Sequence, residues 1–503
     1  MLRCLSYVFI FSLLLPVLFV NAIEKNQANQ DVKTVQIAVD DIPVFFSPYA
    51  SNPPELQYLH LFFDPLLRWT DKQELESRLL RKWETIKPGV SRFYLKKKIK
   101  FHSGNYLSSK DIIWTFSAIL KEPKSRRFFE GIKSIVRVDQ YTFDVHSNLS
   151  QGQLLDYLTH FFVLDGEFYR GHKIEANKAQ PRVMTQYDKL SISGTGPYQI
   201  KQYEPALHLH VISNKNYWGK TAIKELNFIK IKSANSRQFA LLANDVDISA
   251  SVSNKTLDTV RFLATKSLVE VNVSNVVFLT INDKRTLAFK RSVARNAVHL
   301  AINQEGMVKH ILNGMGRVNS TFLPFSQVKI ELPNPQLPVY DVPRAKYLFS
   351  KITMPANLTL LVLVDEIGNT PQVAKALVYM MKRVGIKLII TEVTDIQDWK
   401  KQLLDYDFTL SVWQSSLLDR DNIYQDLFVD SVLSGYISEL FNEGKITESI
   451  NAQALFFEKM LQEHRLIPLF FQNQIWATES KYNLATIFSV NGIPYWHLLA
   501  VID

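Results

Sequence analysis

A chain of 503 residues is long enough for two or three domain-sized cores, and 47% apolar with 21% charged residues excludes a disordered polypeptide. A formal charge of +10 admits nucleic acid, an anionic membrane surface or an acidic ligand as partner. The positive residues are scattered, however. The densest run, Lys96-Lys97-Lys98-Ile99-Lys100, reads as a solvated face, and no helix-turn-helix, zinc-finger or RNA-binding signature accompanies it, so nucleic acid is not an expected partner.

Residues 1–22 read as a signal peptide: Arg3 supplies the positive end, Leu5 to Phe19 is almost entirely apolar, and Val20-Asn21-Ala22 is a small-residue cleavage signal. The apolar run falls short of the roughly 20 residues that span a bilayer; an uncleaved anchor is the alternative reading. The single cysteine, Cys4, precedes the apolar run, which disfavours a lipoprotein. A mature chain beginning after residue 22 carries +9 and no thiol, so its stability comes from a large core and not from disulfides.

Thr34 to Val39 alternates apolar and polar residues, the pattern of a strand with one buried face, and a helix is predicted from Pro54 to Phe63. Phe93 to Phe101 alternates again and runs into the turn His102-Ser103-Gly104. Ser108 and Asp111 form a predicted capping box ahead of an apolar stripe of Ile112, Ile113, Phe116, Ile119 and Leu120. The corner Ser193-Gly194-Thr195-Gly196-Pro197 leads to strand candidates Tyr198 to Tyr203, Leu207 to Ile212 and Leu226 to Ile231, then a helix from Ser236 to Ala243. Val276 to Asn282 is a strand candidate, Lys290 to Asn303 a helix, and Pro324 to Pro343 a long loop. The clearest unit comes last. Leu358 to Val364 is a fully apolar strand, Thr370 and Pro371 open a helix whose stripe is Val373, Ala376, Leu377, Met380, Met381 and Val384, Gly385 ends it, and Ile386 to Ile390 returns as a parallel strand.

Several stretches, in order, resemble the extracellular solute-binding proteins of family 5, the peptide- and nickel-binding receptors of ABC importers. They are Leu61 to Arg68, with Asp64-Pro65 where the family has Glu-Gly; Leu79 to Trp83; Phe93 to Gly104 followed by Asp111 to Phe116; Gly194-Thr195-Gly196-Pro197-Tyr198 with Asn216-Tyr217-Trp218-Gly219; Leu242 to Ile248, with Asn244-Asp245 for Gly-Glu; Val293-Ala294-Arg295 with Ala297; Tyr340-Asp341; and Leu466-Ile467-Pro468-Leu469. Each motif is weak and the ordered set, covering nearly all of residues 35–500, is strong. The resemblance implies an α/β, two-lobed clamp of the periplasmic-binding-protein type with an extra inserted α/β subdomain. Lobe I would comprise 23–55, 187–272 and 470–503, the insert 56–186, and lobe II 273–469. A ligand held in the cleft favours the closed form by as much as it prefers that form.

The same resemblance implies a ligand site. Trp413-Gln414-Ser415-Ser416-Leu417-Leu418-Asp419-Arg420-Asp421-Asn422 aligns without a gap to the family's Trp-x-x-Asp-x-x-Asp-x-Asp-Asn. In peptide-binding members the first Asp pairs with the peptide's α-ammonium; here that position is Ser416. Losing one partner of such a pair costs about 2–5 kcal/mol, and a hydroxyl cannot supply the charge. Three readings follow: Asp419 or Asp421 supplies the carboxylate after a loop shift; the ligand is peptide-like with its amine blocked or held differently; or it is another solute such as a glycan, a metal chelate or a modified amino-acid conjugate. Trp413 is the expected cleft wall, a core tryptophan being the plainer alternative.

Two other patterns carry little. His208-Leu209-His210 puts two imidazoles on one face of a strand without a third ligand, and Gly219-Lys220-Thr221 resembles the end of a phosphate-binding loop whose first Gly is replaced by Asn214. No Gly-x-Ser-x-Gly, His-Glu-x-x-His or Cys-x-x-Cys occurs, so a hydrolase or redox enzyme has no anchor. The expected function is a monomeric periplasmic receptor, without cofactor or metal, that passes a small solute to an ABC permease; the alternative is the same clamp serving as a periplasmic sensor or peptide holdase.

Overall fold

The computed structural model describes residues 34–49, 53–171, 192–252, 257–323, 339–364, 369–430 and 450–502. The signal-peptide reading and most of the proline-rich loop fall outside these residues. Among the described residues no helix is long and apolar enough to cross a membrane.

Among the described residues eleven strands form one sheet: β1 (Val35–Val39), β2 (Tyr198–Glu204), β3 (His208–Ser213), β4 (Glu225–Lys230), β5 (Ile248–Ser249), β6 (Lys266–Ile281), β7 (Gly316–Val318), β8 (Asn357–Leu363), β9 (Lys387–Val393), β10 (Phe408–Gln414) and β11 (Leu466–Glu479). Their order is β9-β8-β10-β6-β11-β5-β1-β4-β3-β2, with β7 on β11. Two long antiparallel strands, β6 and β11, hold the sheet together. From Lys266 opposite Glu479 to Val271 opposite Gln474 they belong with the β1 end; from Asn275 opposite Gln472 onward they carry β10 and β8. The register breaks between Val271 and Asn275, where the extra residues of a bulge bend the strand. Separate apolar cores lie on the two sides of this break, one around Phe62, Phe228 and Trp496 and another around Phe289, Leu360 and Phe470. These are the two lobes of an α/β clamp.

A four-stranded antiparallel sheet, Leu80–Lys87, Val90–Leu95, Thr142–Ser147 and Ile132–Arg137, stands apart from the large one. Its core, built on Phe93, Phe101, Ile112 and Phe143, is continuous with Trp413, Leu417, Ile423 and Tyr424 from the second lobe.

Local expectations recur with small shifts. Helix α1 (Pro53–Phe62) and helix α2 (Ser109–Ile119) form where the apolar spacing places them, and Asp111 Oδ2 accepts from the Ser108 amide at 2.9 Å as a capping box requires. Asn244 takes the left-handed conformation, φ 63. In the last unit β8 and β9 are parallel, Asn357 opposite Lys387, and flank helix Thr370–Arg383. The predicted strand to Phe101 instead ends at Leu95, because Lys98 turns the chain at φ 64. The lysine run is also less uniform than a solvated face. Lys97 and Lys98 are exposed, whereas Lys96 Nζ donates to the carbonyls of Ser77 and Arg78 and lies 4.5 Å over the Trp218 ring.

The resembling motifs meet in space. Asp64 is buried and binds Arg78 at 3.1 Å, Thr195 Oγ1 at 3.0 Å and Trp218 Nε1 at 2.9 Å. A Cβ on Gly196 would lie 2.3 Å from the Phe62 carbonyl carbon, so only glycine lets this corner close on α1. The replacement of Glu by Asp64 therefore leaves a complete buried network.

Candidate functional site

A cavity of ≈ 330 Å³ opens where the two long strands bend, about the lower limit for small-molecule sites. Asp40, just past the C-terminal end of β1, lines it from one side together with Gln57 of α1. Parallel strands present their carboxyl ends to ligands in open α/β sheets, as here. Asn275 contributes from the bulge of β6, Trp413 and Gln414 from the end of β10, and Gln474 and Trp476 from β11. Register fixes these side chains: Trp413 sits opposite Val276 and Gln474 opposite Val271. Gly492 closes the floor at φ +76, and a Cβ there would meet Val273 Cγ1 at 2.3 Å, so the bulge and this turn fit only through glycine.

The polar groups of this wall are poorly matched with each other. Asn275 is 5% exposed, yet its side-chain amide has no hydrogen-bond partner among the described residues. Gln57 Nε2 donates to the Pro54 carbonyl at 3.1 Å while its buried Oε1 receives no donor. Trp476 gives its indole N–H to Gln474 Oε1 at 3.3 Å and is one of the residues lining the cavity. Trp413 is 7% exposed and packs edge-on against Phe322 at 5.9 Å, so it is both a core ring and a wall.

Of the four residues singled out in the sequence, Trp413 lines this cavity and Ser416, Asp419 and Asp421 are not among its lining residues. They face the inserted subdomain. Ser416 is 2% exposed and lies 2.6 Å from His160 Nε2. Thr159 Oγ1 spends its proton on the Asp156 carbonyl at 2.6 Å, so it can only accept from His160 Nδ1 at 2.9 Å. The imidazole is then protonated at Nδ1, and Ser416 donates to Nε2. Burial pushes the His160 pKa down to about 3, which keeps the ring neutral. The position that carries an ammonium partner in peptide receptors is thus one half of a neutral buried pair.

Asp419 caps helix α3 (Arg420–Asp430): its Oδ1 accepts from the amides of Asp421 at 3.0 Å and Asn422 at 3.2 Å. Asp421 binds Arg420 Nε at 2.9 Å and Gln153 Nε2 at 3.3 Å. Beneath them lies Asp156, 1% exposed, which accepts from Trp69 Nε1, the amides of Leu418 and Asp419, and Asn422 Nδ2, all within 3.2 Å. Burial raises its pKa to about 6, against those hydrogen bonds, which lower it. Tyr157 donates to Gln425 and Asn491 to the Ser416 carbonyl. The subdomain therefore grips the 416–425 segment through a dense set of hydrogen bonds. Sequence reading missed Asp156 and His160, which sit in a short, non-periodic segment. It also missed Asn275, whose only signal is an amide inside an apolar strand.

His210 of the paired histidines binds Glu225 at 2.9 Å, and no group of three or more His, Cys, Asp or Glu able to hold a metal occurs among the described residues.

Two lobes joined by bent strands, with a walled cavity at the bend, define a solute-binding clamp. The chain belongs to the bacterial extracellular solute-binding proteins of family 5, whose "Middle" region it matches over residues 74–433; this family binds solutes and carries out no catalysis. It is 22% identical over 383 residues to the probable ABC transporter periplasmic-binding protein SapA of Escherichia coli, covering 70% of this chain and 68% of that one. It is 23% identical over 354 residues to the nickel-binding protein NikA of Staphylococcus aureus, covering 69% and 68%. In fold it is similar to DppA of Helicobacter pylori in complex with the peptide STSA (TM-score 0.75, 18% identity, 93% and 98% covered). NikZ of Campylobacter jejuni in complex with Ni(L-His) is likewise similar (TM-score 0.76, 16% identity, 93% and 99% covered).

Proposed function

We propose that the chain is the periplasmic substrate-binding component of an ABC importer, capturing a peptide-like or other small solute between two lobes and delivering it to a membrane permease. The observation that carries this reading is the cavity at the bend of β6 and β11, whose polar wall keeps unpaired groups inside a family 5 fold. In this reading residues 1–22 are a cleaved signal peptide, 23–55, 187–272 and 470–503 form lobe I, 56–186 its inserted subdomain and 273–469 lobe II. The register break between Val271 and Asn275 supports a hinge there. Trp413 is the ligand wall. Ser416, Asp419 and Asp421 act one step back, holding the loop that presents Trp413 against the subdomain. The test is mass spectrometry of the solute that co-purifies with the mature protein. A single small solute released on denaturation and lost in a Trp413→Ala variant supports the reading; turnover of that solute during incubation contradicts it.

A further inference from the structure

The cavity has many acceptors and no cation. Asp40 is half-buried at its edge, and its carboxylate has neither a hydrogen-bond nor an ion-pair partner among the described residues. Gln57 Oε1 is buried without a donor, and Asp426, 7% exposed, already engages Ser415 Oγ at 3.3 Å. No Lys, Arg or His lines the space among the described residues. A solute entering with a free carboxylate would meet the Asp40 carboxylate and no cation in the lining, and burying an unpaired charge is strongly unfavourable. A solute bringing an ammonium or guanidinium group would meet a counter-charge and an amide acceptor in a space lined by two tryptophans, a residue type whose ring quadrupole attracts cations.

We infer that the cavity selects a cationic solute lacking a free carboxylate, and that the unpartnered Asp40 carboxylate, beside Gln57 and Trp476, is its counter-charge. Asp40 thereby supplies from lobe I the charge that Ser416 does not supply from lobe II. The inference rests on the reading of this cavity as the solute site. It explains how an amine can be held although His160 fills the position opposite Ser416.

The test is calorimetric titration of the full mature chain, stripped of bound solute by unfolding and refolding, with dialanine amide, dialanine and N-acetyl-dialanine, whose charges are positive, balanced and negative. Dialanine amide should bind at least tenfold more tightly than dialanine, N-acetyl-dialanine should not bind, and Asp40→Asn should abolish the difference without changing the melting temperature. Equal or tighter binding of N-acetyl-dialanine, an unchanged ratio in Asp40→Asn, or no binding of any of the three overturns the inference. Binding indifferent to Asn275→Leu and Trp476→Phe rejects the cavity itself. Binding lost in those variants but ranked in the opposite order of charge rejects only the preference for a cation.

Discussion

Two polar regions lie on either side of Trp413 and are finished to different degrees. In the contact between the subdomain and the 416–425 segment, Asp156 takes four N–H groups, His160 takes the Ser416 hydroxyl and Asp419 caps a helix. In the cavity at the strand bend, Asn275 and Gln57 Oε1 keep unpaired groups and Asp40 keeps an uncompensated charge. Both regions keep buried acceptors without a donor, Asn422 Oδ1 and Asn491 Oδ1 in the first and Gln57 Oε1 in the second, so what separates them is the unpaired Asp40 carboxylate and the open space beside it. In the proposed reading the segment around Ser416 is a brace against the subdomain and recognition takes place at the strand bend.

The sharpest way to break this comparison is Asp156→Ala. It strips the acceptor from four buried N–H groups, and a loss of about 3–5 kcal/mol in urea unfolding is expected; a change within error would mean that the brace is not structural. Acidification comes next. His60, His160 and His497 are all held well below the ordinary histidine value, first by burial. Their folded forms stay neutral while the unfolded chain takes up protons, so this stability is present above pH 6.5 and is lost as pH falls. His160 alone should cost about 2 kcal/mol at pH 5. Asp156 acts in the opposite sense: its raised pKa gives stability below the ordinary value of 3.8 that is lost as pH rises through about 6. The histidines outnumber it, so the melting temperature should fall between pH 7 and pH 5, and His160→Leu should flatten that slope.

Gly492→Val probes the other region. Its side chain would collide with the bulge at Val273, costing about 1–3 kcal/mol by overpacking and abolishing solute binding. The smallest effect is expected from Ser416→Asp. The new carboxylate would face the lone pair of His160 Nε2 and raise the imidazole pKa from about 3. Proton NMR titration reads that shift, and stability at pH 7 should fall by about 1 kcal/mol.

Much of the fold was legible. Periodicity found β1, α1, α2 and the β8–helix–β9 unit because their buried residues recur at regular spacing, as Leu358, Leu360 and Val362 of β8 do on the core they share with Leu377 of the helix. The two crossing strands were only half seen. β6 serves two cores in succession and changes phase between Val271 and Asn275, so no single alternation runs through it. At the site, the tryptophan of the motif was legible and lines the cavity. The partners of Ser416 were not, since His160 lies 256 residues away in sequence and nothing local marks it. Asp40 follows a strand like any turn residue, and only the cavity gives its carboxylate a role.

The most direct measurement is a crystal structure of the mature protein with the solute it retains from expression. Ligand density enclosed by Trp413, Trp476 and Asn275, with a donor group on Asp40 and the His160–Ser416 pair intact, is the predicted result. Density seated beside Ser416 with His160 displaced, or an empty cavity at the strand bend in a ligand-loaded protein, would contradict it.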